Sequence, residues 1–209
     1  VKFVILAMIE SCRHRKIDIC YVMTTPLTTG LVALFNKFIL ARPYIFEVGD
    51  LWPKVPIDMG LIKSGLWKRT LKLFERIFYR QATGLIGLSE PITDHIKGSA
   101  PKTPVQTIYN IADCSMLVPR DKDQKILSNY MALDKFVISY TGTFGIANDL
   151  QRLIELMETI QDLPVLLLMV GGGAERGKID QLLKSKGLNN VCIKEPMSKE
   201  KIIEVLRIT

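Results

Sequence analysis

Two runs of β-forming apolar residues each end in glycine and lead into a helical pattern, and this arrangement restricts the chain more than any other feature. The first is Phe136-Val137-Ile138-Ser139-Tyr140-Thr141-Gly142-Thr143-Phe144-Gly145, ahead of an amphipathic stretch from Leu150 to Ile160. The second is Val165-Leu166-Leu167-Leu168-Met169-Val170-Gly171-Gly172-Gly173, ahead of Ile179 to Lys186. A strand that turns through glycine into a helix leaves free backbone N–H groups and the positive end of the helix dipole at one place, a ready site for a phosphate. Two such turns side by side at the carboxyl edge of a parallel sheet suit a nucleotide diphosphate. The expectation is a nucleotide-dependent α/β protein.

The rest of the chain extends the pattern. Ile17 to Met23 reads as a buried strand, and Thr24-Thr25-Pro26 turns into a helix from about Leu27 to Ala41 that Pro43 stops. Tyr44 to Val48 reads as a second strand, Gly49 to Gly60 as a proline-bearing loop, and Leu61 to Ala82 as a helix. Gly84 to Leu88 follows as a third strand, with Ser89 placed to cap a helix through Lys97, and Val105 to Tyr109 as a fourth. Such alternation is the signature of parallel βαβ units. From Cys114 to Asp134 the periodicity weakens and charges cluster, as at a boundary. The second series opens at Phe136 and goes on to a strand at Asn190 to Lys194 and a helix from about Ser198. The chain begins inside an apparent helix and ends in one that nothing caps, so both ends read as cut.

With 209 residues, 48% hydrophobic and 23% charged, the chain can bury one substantial core or two small ones. No apolar run approaches the roughly 18–20 residues needed to cross a bilayer, and the apolar start Val1 to Ile9 lacks the small-residue cleavage site of a signal peptide. Cys12, Cys20, Cys114 and Cys192 are scattered without C-x-x-C spacing, which indicates neither zinc nor a disulfide framework and fits a reducing cytoplasm. The net charge of +7 is uneven. Across 61–82, Lys63, Lys68, Arg69, Lys72, Arg76 and Arg80 face the single acid Glu75, a surplus of five. Ile62, Leu66, Leu71, Phe74, Ile77 and Phe78 recur at helical spacing there, with Trp67 at the border. Such a helix packs on a core with a solvated polar face, or rests its basic side on an anionic membrane, and the two are compatible. No nucleic-acid module accompanies the charge, so no nucleic acid is expected as a partner.

At this point the residues resemble the retaining glycosyltransferases of family 4, with the GT-B fold of two Rossmann-like domains, and especially those of bacterial capsule and O-antigen polysaccharide assembly. The likeness rests on Asp18 to Ala33, Phe46-Glu47-Val48-Gly49-Asp50-Leu51-Trp52-Pro53, Tyr109-Asn110-Ile111-Ala112-Asp113, Tyr140 to Gly145, and Val170-Gly171-Gly172-Gly173-Ala174-Glu175-Arg176, in the family's order. It implies an α/β, GT-B-like chain holding parts of two parallel-sheet domains. Residues 1–116 would be the second half of the amino-terminal, acceptor-side domain, 117–134 a connector, and 135–209 the first half of the donor domain. Two full domains would need roughly 300–400 residues, so an internal fragment is expected, inactive by itself. The family's pair of donor-contacting glutamates would lie beyond Thr209.

The resemblance implies transfer of a sugar, of hexosyl or N-acetylhexosaminyl type, from a nucleotide-diphosphate donor, most simply a UDP-sugar, to a lipid-linked or growing polysaccharide. The enzyme would be cytoplasmic or peripheral on the inner face of the membrane. Gly142, Thr143, Phe144, Gly145 and Asn148 would face the diphosphate, Gly171, Gly172 and Gly173 would support the donor pocket, and Glu195, Pro196 and Met197 would border the base. Many family members carry Arg where Thr143 stands and Lys where Asn148 stands; here backbone N–H groups, the helix dipole or another residue must meet the charge. Asp50 is the candidate catalytic residue: it orients an acceptor hydroxyl, or it caps its loop while Trp52 packs inward. Related enzymes often have His immediately before this Asp, where Gly49 stands.

Asn110 and Asp113 read as turn formers, and Asp121-Lys122-Asp123 as a solvated charge cluster rather than a metal-binding D-x-D. His14 and His95 read as isolated, and neither metal nor cofactor is expected. Two other classes stay open: a nicotinamide-dependent oxidoreductase or sugar-nucleotide epimerase built on Gly171-Gly172-Gly173, and a non-catalytic nucleotide-sugar-binding module. Against the first, no acidic residue ends the strand Cys192-Ile193-Lys194, where a ribose hydroxyl would be held.

Overall fold

The computed structural model describes residues 2–14, 16–119 and 121–209. Val1, Arg15 and Arg120 lie outside them, and with them the first residue of the apolar start and one residue of the expected connector. The chain divides into two compact units, Val1–Ile111 and Ala112–Thr209.

In the first unit the strands β1 (Cys20–Met23), β2 (Tyr44–Val48), β3 (Gly84–Gly87) and β4 (Val105–Thr107) form one parallel sheet in that order. α1 (Lys2–Arg13) precedes β1, and between the strands run α2 (Thr29–Ile39), α3 (Lys54–Asp58), α4 (Gly65–Gln81) and α5 (Glu90–Ser99). β2 alternates because one of its faces is core: Tyr44, Phe46 and Val48 are fully buried against Phe78, Tyr79 and Leu85. Burying the Tyr44 ring requires a partner for its hydroxyl, which donates to Phe78 O at 2.6 Å. Burial also pushes the Tyr44 phenol well above its ordinary titration range.

β1 is shorter than the apolar run predicts. Its ladder opens where Cys20 N donates to Pro43 O at 2.9 Å, and the residue two before Pro43, Ala41, turns at a positive φ of 54°, so nothing extended lies opposite Ile17 to Ile19. The expected loop after β2 instead contains the short α3. Ser89 does stand before α5, but its side chain makes no capping bond.

In the second unit β5 (Phe136–Thr143), β6 (Val165–Gly172) and β7 (Val191–Lys194) form a second parallel sheet, with α6 (Gln124–Asn129), α7 (Leu150–Thr159), α8 (Arg176–Lys186) and α9 (Lys199–Leu206). Leu166 to Val170 are all buried, as a strand covered on both faces requires. α6 is a helix inside the stretch 117–134. Asp123 caps it by accepting from Lys125 N at 2.8 Å and Ile126 N at 3.4 Å, and Leu127 and Ala132 pack with Val137, Leu166 and Val205. Asp123 is therefore a helix cap.

Candidate functional site

Gly142, Gly171 and Gly172 are not where the chain turns. Gly142 pairs with Gly171 and Thr143 with Gly172 as the last rungs of the β5–β6 ladder, and the chain leaves β5 only at Phe144. The rungs close because neither side carries bulk. A Cβ on Gly171 would stand 1.9 Å from Gly142 O, and one on Gly173 would stand 2.6 Å from Phe144 O. Both have φ +152°, a conformation left to glycine.

The strand ends form one side of an open groove of about 400 Å³ lined by Thr141, Gly142, Thr143, Val170, Gly171, Gly172, Pro196, Met197 and Ile202. Pro196 comes from the loop after β7, and its Cγ would lie 3.5 Å from a Cβ on Gly172. Thus Gly142, Thr143, Gly171, Gly172, Pro196 and Met197 meet here, at the carboxyl edge of the sheet, where α/β proteins bind ligands. The lining consists of peptide groups, one hydroxyl pair and apolar side chains, with no carboxylate or imidazole. Such a surface can hold and orient an anion; it offers no group for proton transfer.

The remaining candidates stand elsewhere. Phe144 is fully buried, with its N–H donating to Gly172 O at 2.9 Å and its carbonyl accepting from Glu175 N at 3.0 Å. Gly145 lines a separate groove of about 480 Å³ between α7 and α8, with Asp149, Gln151, Glu175 and Lys178. Asn148 is exposed, and its side chain folds back along its own loop: its Nδ2 donates to Thr143 O at 2.6 Å, and Tyr140 Oη donates to the same carbonyl at 2.8 Å. Two donors on one carbonyl fix the Thr143–Phe144 peptide at the groove's edge. Gly173 packs on Phe144, and Glu195 pairs with Arg176 at 3.1 Å.

Asp50 belongs to the first unit. Thr25 Oγ1 donates to its Oδ2 at 3.4 Å, while Trp52 packs against the core of that unit. Asp113 closes a turn, accepting from Ser115 N at 3.1 Å and Ser115 Oγ at 2.6 Å, bonds that hold its carboxyl below the usual range.

His95 is not isolated. Its Nε2 lies 3.2 Å from Oε1 of Glu75, whose side chain is only 6% exposed and also accepts from Tyr79 Oη at 3.3 Å. The only acid of the basic helix α4 is thus buried, and desolvation pushes its carboxyl above the ordinary range against the pull of His95, Tyr79 and Lys72. Arg69, Lys72, Arg76 and Arg80 lie on the exposed side of α4, and Leu66, Trp67, Leu73 and Phe74 are exposed beside them. An apolar slot of about 130 Å³ opens between α2 and α4, lined by Leu27, Thr28, Leu31, Leu71, Phe74 and Phe78. No helix among the described residues is long and apolar enough to cross a membrane.

Residues that sequence reasoning passed over at the groove are Tyr140 and Arg176. The spacing of Arg176 and Asp180, one helical turn apart, was the available signal for the second.

No family model matches the chain. Over 73 residues, 34% of the chain, it is 29% identical to the putative colanic acid biosynthesis glycosyl transferase WcaI of Escherichia coli K12, of which it spans 18%. Among solved structures it is similar to Anabaena Alr3699/HepE in complex with UDP, with a TM-score of 0.77, 16% identity, and coverage of 96% of this chain and 54% of that one. The same protein in complex with UDP-glucose gives a TM-score of 0.73. Sucrose-phosphate synthase from Thermosynechococcus elongatus gives 0.76 at 15% identity, with 98% of this chain and 52% of that one covered. The chain spans about half the length of these structures. Its α/β architecture of parallel, Rossmann-like strands is that of the GT-B glycosyltransferases it matches.

Proposed function

We propose that this chain is part of a retaining glycosyltransferase of the family 4 type that moves a sugar from a UDP-sugar to a lipid-linked or growing polysaccharide. The observation that carries the reading is the groove at the β5 and β6 ends, where Gly142, Gly171 and Gly172 let a diphosphate approach the backbone and Pro196 and Met197 stand at the edge for a base. The complexes of Alr3699/HepE with UDP and UDP-glucose and the local likeness to WcaI support the donor class. In this reading the second unit, with α6 packed into its core, is the first half of the donor domain, and the first unit is the second half of the acceptor-side domain. Catalysis is electrostatic: the leaving diphosphate is stabilised by peptide N–H groups and the start of α8, with no metal or cofactor required by the reading. Asp50, on the acceptor-side unit, orients the acceptor hydroxyl. The cationic and apolar sides of α4 suit a cytoplasmic protein that rests on the inner face of the membrane, where a lipid-linked acceptor is found.

The test is nucleotide selectivity in calorimetric titrations of the chain. The reading expects saturable binding of UDP and weaker or no binding of NAD. Saturation by NAD with none by UDP would transfer the groove to an oxidoreductase or epimerase. Binding by the complete protein without transfer from any UDP-sugar would make it a non-catalytic module.

A further inference from the structure

The residues lining the glycine groove carry no charge, yet a cation stands against it: Arg176 Nη1 lies 3.3 Å from the carbonyl of groove-lining Gly171. The guanidinium is held on every side. Nε donates to both carboxylate oxygens of Asp180 at 3.1 and 3.0 Å, Nη2 meets Glu195 Oε1 at 3.1 Å, and the group covers the Phe144 ring with Cζ 5.8 Å from its centroid.

These partners are unequal. Asp180 sits one turn along the same helix, Gly171 O belongs to the sheet, and Phe144 is fully buried, so three contacts set the orientation of Arg176. Glu195 is different: its side chain is 80% exposed, against 25% for Arg176, and it stands in the loop whose next two residues line the groove. One guanidinium between two carboxylates leaves a local charge of the wrong sign for a diphosphate. A planar fork orientated by three fixed contacts, with an exposed carboxylate on its remaining edge, is arranged to exchange that carboxylate for a phosphate, which it binds in the same geometry.

We propose that Arg176 is the cation that binds the diphosphate in this groove, and that Glu195 is the anion it holds beforehand and releases when the nucleotide arrives. The inference rests on the reading of the groove as a nucleotide-sugar site. Exchange is favoured because a solvent-exposed ion pair contributes little, whereas hydrogen bonds from a guanidinium to phosphate are charge-assisted and bidentate. Release of Glu195 also frees Pro196 and Met197 to adjust against the base.

The test compares calorimetric affinities of UDP and of uridine, which has no phosphate, for the wild-type chain, Glu195→Gln and Arg176→Gln at low and high salt. Glu195→Gln removes the competing anion and is expected to tighten UDP about two- to fivefold, with the gain shrinking at high salt. Arg176→Gln is expected to weaken UDP by about tenfold or more, and uridine affinity is expected to stay constant in both variants. Should Arg176→Gln fail to fold in a thermal melt, the exposed Glu195→Gln decides alone. UDP affinity unchanged or weakened in Glu195→Gln overturns the exchange and leaves the nucleotide reading standing. A wild-type chain that binds no UDP overturns both.

Discussion

Replacing Gly171 by alanine tests whether the glycines act as rungs rather than as a turn. The new Cβ would stand 1.9 Å from Gly142 O, 3.0 Å from Gly142 C and 3.1 Å from Phe144 Cε1. Ordinary contact begins at 3.4 Å, so the carbonyl must recede by 1.5 Å, the difference between the two distances. Two of these neighbours are backbone, so no rotamer change relieves the clash. A displacement of that size is about a third of the roughly 4.8 Å that separates paired strands, and it breaks the bond from Phe144 N to Gly172 O. Overpacking of about 1–3 kcal/mol, backbone strain of about 1–2 kcal/mol at this φ and a lost hydrogen bond of about 1 kcal/mol together place the cost at roughly 3–6 kcal/mol. For a unit of this size that is a fall in Tm of about 15–30 °C. Differential scanning calorimetry measures it, with Gly177→Ala as the control, since a Cβ at Gly177 meets nothing within 4 Å. A Gly171→Ala chain that melts with the wild type and still binds UDP would refute the rung geometry.

Two further outcomes follow from the first unit. Burial raises the carboxyl of Glu75 in the folded state above its ordinary 4.5, so folding takes up a proton there, and stability is gained as pH falls through the folded value towards 4.5. The groups facing it are His95, Tyr79 and Lys72, and the excess stability of wild type over Glu75→Gln in urea melts should grow on acidification from neutral pH; a constant difference would contradict this. If α4 rests on lipid, neutralising Lys68, Arg69, Lys72 and Arg76 together should largely abolish co-sedimentation with anionic vesicles, since each cation near such a surface contributes about 1 kcal/mol. Equal sedimentation of the variant and the wild type would remove the membrane from the account.

The architecture was legible wherever one residue type forces a local outcome. A helix stops ahead of Pro43, at Ile39 rather than the expected Ala41, the alternation of Tyr44 to Val48 follows from one covered face, and the unbroken apolar run Leu166 to Val170 requires cover on both. Features that depend on a partner distant in sequence were not legible. Gly142 and Gly171 read as turn formers because each alone suits a turn, and only their pairing across the ladder makes them rungs. Glu75 and His95 are twenty positions apart, on α4 and α5, and no local pattern joins them. Asp123 read as part of a charge cluster because the short α6 that it caps has too few residues to display a helical period. At the groove, the glycines and Pro196-Met197 were visible as residue types. The bond from Asn148 back to Thr143 O and the four contacts of Arg176 are products of the folded geometry.

The central claim is that the carboxyl ends of β5 and β6 bind a nucleoside diphosphate through their backbone. Amide chemical shifts of the ¹⁵N-labelled chain titrated with UDP measure this residue by residue. The account predicts saturable shifts concentrated at Thr141, Gly142, Thr143, Gly171, Gly172 and Met197. Saturable shifts confined to the α7–α8 groove around Gln151 and Lys178, or no shifts at saturating UDP, would contradict it.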